Sequence, residues 1–167
     1  MLLSTPRPRI ALLPALLLVL ATGCGGGSSP TSPATGQSFE MTTAQVVVDG
    51  QVLNGATVPM HQGGATRFEA RLEADGLPAR GGTVYCRYDR PGGGMGGMHR
   101  QGVFTMYDDG THGDHTPGDG LYCLEDDRGE YGCHGDSAGP GEYRYEFWGE
   151  HPAHGQTAHH QVTVTVR

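Results

Sequence analysis

Four aspartates crowd one stretch of this chain: Asp108-Asp109-Gly110-Thr111-His112-Gly113-Asp114-His115-Thr116-Pro117-Gly118-Asp119-Gly120-Leu121-Tyr122. Carboxylates at this density repel one another, and a hard cation relieves that repulsion. Ca²⁺ accepts roughly six to eight oxygens in loose geometry. The glycines permit positive φ, so the chain can fold back tightly enough to bring the acids together. Asp108, Asp109, Asp114 and Asp119 are therefore the candidate Ca²⁺ ligands, with backbone carbonyls completing the shell. The spacing is not that of an EF-hand, whose acids alternate every second residue. A competing expectation needs no metal: the same aspartates cap turns by accepting backbone N–H groups.

A softer chemistry is written at Met95, Met98 and His99, inside a glycine run, where thioether and imidazole donors suit Cu(I). Met60 and His61 lie upstream, and His115, His134, His151, His154, His159 and His160 are spread through the second half. Copper or zinc binding by these Met/His loops is the alternative to calcium, although the spacing fits no compact metal motif. The plainer reading is solvated loop histidines and gap-filling methionines.

The cysteines are Cys24, Cys86, Cys123 and Cys133. If Cys24 is consumed elsewhere, three remain, enough for one disulfide and one free thiol in an oxidising compartment. Cys123 and Cys133 bracket an acidic, glycine-containing segment, and bridging them would contribute up to about 3 kcal/mol by loop closure. Cys86 bonded to either of them is the competing pairing. Gly135-Asp136-Ser137-Ala138-Gly139-Pro140 resembles the nucleophile segment of trypsin-like proteases, but no histidine precedes it in a fitting context. A turn between strands is the expectation there, and no catalytic residue is expected in this chain.

The elements that must position these groups have period two. Phe68, Ala70 and Leu72 alternate with Arg67, Glu69, Arg71 and Glu73, which places the charges on the opposite face. Tyr143, Tyr145 and Phe147, then Val162, Val164 and Val166, repeat the pattern, and Val84, Cys86 and Tyr88 form another inward set. Residues 45–49, 102–107 and 120–124 supply shorter strands, separated by Gly, Pro, Asn and Asp clusters. No segment has a helical period. About seven short strands with turns between them point to an all-β, antiparallel β-sandwich.

The N-terminus sets the compartment. Arg7 and Arg9 precede an apolar run over residues 10–21, which is shorter than the roughly 20 residues of a spanning helix. Leu20-Ala21-Thr22-Gly23-Cys24 follows, and then a Gly/Ser/Pro tether. Residues 1–23 are expected to be a signal peptide, 24–38 a tether and 39–167 the folded domain. The net charge is −7 and every basic residue is an arginine. Such a chain lacks the basic stripe that nucleic-acid binding requires.

The residues around Cys24 resemble the lipobox of bacterial lipoproteins, with Ala21 where that family usually has leucine. The resemblance implies a lipidated Cys24 and a head anchored at the cell membrane or outer membrane, facing the periplasm or exterior. The 108–122 stretch resembles the DDGxxGDxxxGDGxY loop of secreted bacterial β-sandwich modules. Gly141-Glu142-Tyr143 resembles the tyrosine corner of immunoglobulin-like and fibronectin type III-like domains. Together these imply a non-catalytic structural or adhesive module whose partners are the membrane, through its lipid, and an envelope protein or glycan.

Overall fold

A computed structural model describes residues 38–60, 64–91, 101–135 and 138–167. The described chain is all-β. It has seven longer strands, β1 (Phe39–Val48), β4 (Thr66–Ala74), β6 (Thr83–Asp89), β7 (Gln101–Met106), β8 (Leu121–Asp126), β9 (Gly141–His151) and β11 (His160–Val166). Four two-residue strands accompany them: β2 (Gln51–Val52), β3 (Thr57–Val58), β5 (Leu77–Pro78) and β10 (Gly155–Gln156).

Two sheets form a sandwich. In the first, β4 lies between β1 and β8, with β2 and β5 at its margins. In the second, the order is β3-β11-β9-β6-β7, with β10 on β9. In immunoglobulin lettering the longer strands run A-B-E in one sheet and G-F-C-C′ in the other, a sandwich arrangement of the immunoglobulin type. The ladders are antiparallel except between β11 and β3, which pair in parallel through Thr165↔Thr57 and Val166↔Val58.

The alternation written in the sequence sets the core. Phe68, Ala70 and Leu72 of β4 are fully buried, and so in practice are Tyr143, Tyr145 and Phe147 of β9 and Val164 and Val166 of β11. Phe68 meets Tyr145 edge-on at 5.1 Å and Phe104 at 4.8 Å, so aromatic rings bridge the two sheets. The Tyr143 hydroxyl donates to the Gly139 carbonyl at 2.9 Å and accepts the Gly139 N–H at 2.8 Å. That is the hydrogen-bonding geometry of a tyrosine corner. Tyr145, two residues on, stands where an antibody domain has the second cysteine of its inter-sheet disulfide. The Phe68–Tyr145 contact spans the sheets there instead.

Three details differ from the sequence reading. β1 begins at Phe39 rather than near residue 45, because a register shift between Met41 and Thr43 breaks the simple alternation. β9 continues through Gly149, which is inward-facing and leaves no room for a Cβ against Leu72. Glu69, expected on a solvent-facing charged surface, is only 6 % exposed.

Candidate functional site: the aspartate loop beside β8

The 108–120 loop carries the chain from β7 of one sheet to β8 of the other. Its two ends are stitched together, since Tyr107 and Cys123 exchange backbone hydrogen bonds at 2.9 and 2.7 Å. Tyr122 anchors it below. Its ring is buried in the core, and its hydroxyl donates to the Ala79 carbonyl at 3.2 Å. Burial, reinforced by the negative charge of Asp108, pushes the Tyr122 phenol up to about 12. At Gly120 the chain needs glycine for two reasons. Its φ is +79°, and a Cβ there would press on the Leu72 carbonyl and on Pro78.

Asp108 organises the loop. Its Oδ1 accepts the N–H groups of Gly118 at 2.8 Å and Asp119 at 3.1 Å, and its Oδ2 that of Gly120 at 3.1 Å. Asp114 is 5 % exposed and accepts the N–H groups of Gly110 at 2.6 Å and Thr116 at 3.0 Å. Asp119 Oδ1 accepts the Leu121 N–H at 2.8 Å, while Arg71 donates to the Asp119 carbonyl at 2.9 Å. These three carboxylates converge, with one oxygen of each lying within 4.8 Å of the others.

Asp109 does not join them. It is exposed, and its Oδ1 accepts the Thr111 N–H at 2.9 Å. The Thr111 hydroxyl is the main cause holding its carboxyl below the usual range. Of the four aspartates expected to act together, the fold therefore assembles three. The turn-capping role is also realised, by all four.

Both roles fit one geometry. A carboxylate offers about four acceptor positions, and backbone N–H groups leave part of that capacity open on each of the three acids. Burial pushes the Asp108 carboxyl above its ordinary value despite three N–H donors, and the Asp114 charge adds to the shift. A hard divalent cation held by these oxygens would remove that strain.

On the outer face of the first sheet, a cleft of about 70 Å³ adjoins the loop, lined by Arg67, Glu69, Asp114, His115, Asp119 and Cys123, among others. Glu69 is paired with Arg67 and accepts a hydrogen bond from the Gln45 amide, which accounts for its burial.

The expected Cys123–Cys133 disulfide is not formed: Cys86, Cys123 and Cys133 are all free and buried. The alternation of β8 explains why. Tyr122 and Leu124 point into the core, so Cys123 faces the other way, opposite Glu69. Cys133 packs in the core with Tyr145. The sheet separates the two sulfurs. Burial pushes the thiols of Cys123 up to about 12 and of Cys133 up to about 11, and raises that of Cys86 as well. Few thiolates form under such conditions, so these cysteines are poor nucleophiles.

The other expected sites are dispersed or lie outside the described residues. Cys24, Met95, Met98, His99, Asp136 and Ser137 are outside them. His151 and His154 sit together with centroids 4.5 Å apart, whereas His159 stacks on Trp148 at 5.1 Å on the outer face of the second sheet. Asp108, Asp114 and Asp119 are the one His/Cys/Asp/Glu trio with metal-like convergence among the described residues.

A second loop went unnoticed in the sequence. Asp126, at the far end of β8, is 5 % exposed and accepts the N–H groups of Glu130, Tyr131 and Gly132 at 2.9, 2.8 and 2.7 Å. Buried Arg90 donates to the Glu130 carbonyl at 2.6 Å. The available signal was an acid followed by closely spaced glycines, Gly129 and Gly132, before a core cysteine.

No protein-family model matches this chain, and no curated protein matches it.

Proposed function

We propose that this chain is a lipid-anchored, non-catalytic β-sandwich of the bacterial envelope, a structural or adhesive head whose 108–120 loop is ordered by Ca²⁺. The convergence of Asp108, Asp114 and Asp119 carries the calcium part of this reading. Three carboxylates with unspent lone pairs, one of them raised by burial and a neighbouring charge, form a donor set for a hard cation. The signal-like N-terminus and Cys24 support the anchor, which places the head outside the cytoplasm. Three buried thiols with raised pKa values speak for a structural rather than nucleophilic role of the cysteines.

Thermal melting in EDTA and in millimolar Ca²⁺ tests the loop. A native-state ligand at about 100 times its Kd stabilises by about 2.7 kcal/mol, so Tm should rise by several degrees with Ca²⁺ and fall back with EDTA. Identical melts would remove calcium from the account. Detergent-phase partitioning tests the anchor: the full chain should enter the detergent phase and Cys24→Ser should not. Equal partitioning of the two proteins would contradict lipidation at that residue.

A further inference from the structure

Among the described residues the outer edge of β7 is an open strand edge, and its hydrogen-bonding direction follows from the structure. Tyr107 exchanges its N–H and C=O with Cys123 of β8, pointing away from β6. Alternation along an antiparallel strand then turns the N–H and C=O groups of Gln101, Val103 and Thr105 to that same outer side. Gly102, Phe104 and Met106 serve the ladder to β6, opposite Tyr88, Cys86 and Val84. Among the described residues nothing bonds to the outward groups of Gln101, Val103 and Thr105.

Parts of the other edges are covered. The Asn54 amide donates to the Ala44 carbonyl and accepts the Val46 N–H on β1. β3 lies along β11, Tyr107 pairs with both outer groups of Cys123 on β8, and the His112 carbonyl accepts the Glu125 N–H. Natural edge strands are usually blunted by charge, proline or a covering segment. β7 reads Gln-Gly-Val-Phe-Thr-Met, with neither charge nor proline, and Val103 is 56 % exposed.

We infer that this edge pairs with the same edge of a second copy of the chain, antiparallel across a two-fold axis at Val103. This goes beyond the calcium reading and does not depend on it. Two features select a second copy as the occupant. With a two-fold axis at Val103 that residue meets its own mate, so a charge there would face itself, whereas Val103 is apolar and exposed and its strand carries no charge. The open edge also has a defined C-terminal limit, because β8 occupies it from Tyr107 onward. Centring on Val103 sets Gln101 against Thr105 of the other copy and uses residues 101–105 of both. Each outward N–H and C=O of these residues then finds a counterpart, and the facing side chains are valine on valine and glutamine on threonine. Both are favourable cross-strand pairings.

The register makes the test sharp. Hydrogen-bonded antiparallel partners have Cα atoms about 5.5 Å apart, within disulfide range. Thr105 would lie roughly 14 Å from its own mate, four residues out of register, and beyond that range. Single-cysteine additions to the full chain are oxidised with diamide and run on a non-reducing gel, against the unmodified chain as background. The expected result is at least tenfold more covalent dimer for Val103→Cys than for Thr105→Cys. Equal yields, or Val103→Cys at background, would overturn the pairing. Sedimentation of the full chain in detergent supplies a second reading. The unmodified chain should be dimeric at tens of micromolar and Val103→Lys, folded by circular dichroism, monomeric. An unmodified chain that is already monomeric there rejects the proposal, including the case in which an extended peptide from another protein fills the edge.

Discussion

Strand β8 has an aspartate-centred loop at each end, and the two loops solve the same problem with different amounts of charge. Asp108 gathers the N–H groups of Gly118, Asp119 and Gly120 before the strand, and Asp126 gathers those of Glu130, Tyr131 and Gly132 after it. Each carboxylate satisfies backbone donors that a tight loop cannot pair with one another. The difference lies in the company they keep. Asp126 works with the Arg90 guanidinium pinning the same loop, and no acidic trio converges on it among the described residues. Asp108 shares its space with Asp114 and Asp119 and has a raised pKa. Asp114 and Asp119 cap turns of their own, and the proposed cation would offset the repulsion that their convergence with Asp108 creates.

Four substitutions and titrations separate the loops. The largest effect is expected for Asp126→Ala. It strands one buried and two half-buried N–H groups and empties a nearly buried carboxylate site, and at about 1–3 kcal/mol for each such donor the loss should reach about 3 kcal/mol in urea unfolding, with or without Ca²⁺. Asp108→Ala deletes as many hydrogen bonds but also relieves repulsion from Asp114 at a more solvated site. In EDTA its cost should be about 1–2 kcal/mol. Equal costs for the two in EDTA would show that the extra carboxylates impose no strain. In saturating Ca²⁺ the Asp108 cost should grow while that of Asp126→Ala stays fixed.

The pH dependence comes next. The folded pKa of Asp108 lies above its ordinary 3.8, so the native state holds the proton more tightly than the unfolded chain. Stability from this group is therefore greatest below 3.8 and is lost as pH rises through the raised value. In EDTA, Asp108→Asn should remove that loss, so melting temperatures of the two proteins compared across this window should differ in slope. Calcium, if held as proposed, would reverse the trend, because protons would compete for the same oxygens and release Ca²⁺ as pH falls. The smallest effect belongs to Asp109→Ala. Asp109 is exposed and outside the trio, so the Ca²⁺-dependent rise in Tm should match that of the unmodified chain. A lost rise would return Asp109 to the ligand set.

The sandwich was largely legible because its longer strands bury alternate residues. Phe68-Ala70-Leu72 and Tyr143-Tyr145-Phe147 declare their faces without help from partners. Legibility failed where tertiary packing breaks the period. The shift at Met41/Thr43 hid the start of β1, and Gly149 looks like a strand breaker until Leu72 is placed against it. The aspartate loop was legible as a cluster because several acids and glycines share one segment. Asp126 was not, because a single acid in an acidic run looks solvated until its N–H donors are seen. The cysteine pairing failed for a related reason. Nearness in sequence said nothing about which face of β8 Cys123 occupies.

The most direct measurement is equilibrium dialysis of the purified chain against Ca²⁺, followed by elemental analysis, for the unmodified protein and for Asp114→Asn and Asp109→Ala. A single bound Ca²⁺ per chain is expected, retained by Asp109→Ala and lost by Asp114→Asn. No calcium above the buffer level in the unmodified chain, or the same content in Asp114→Asn, would contradict it.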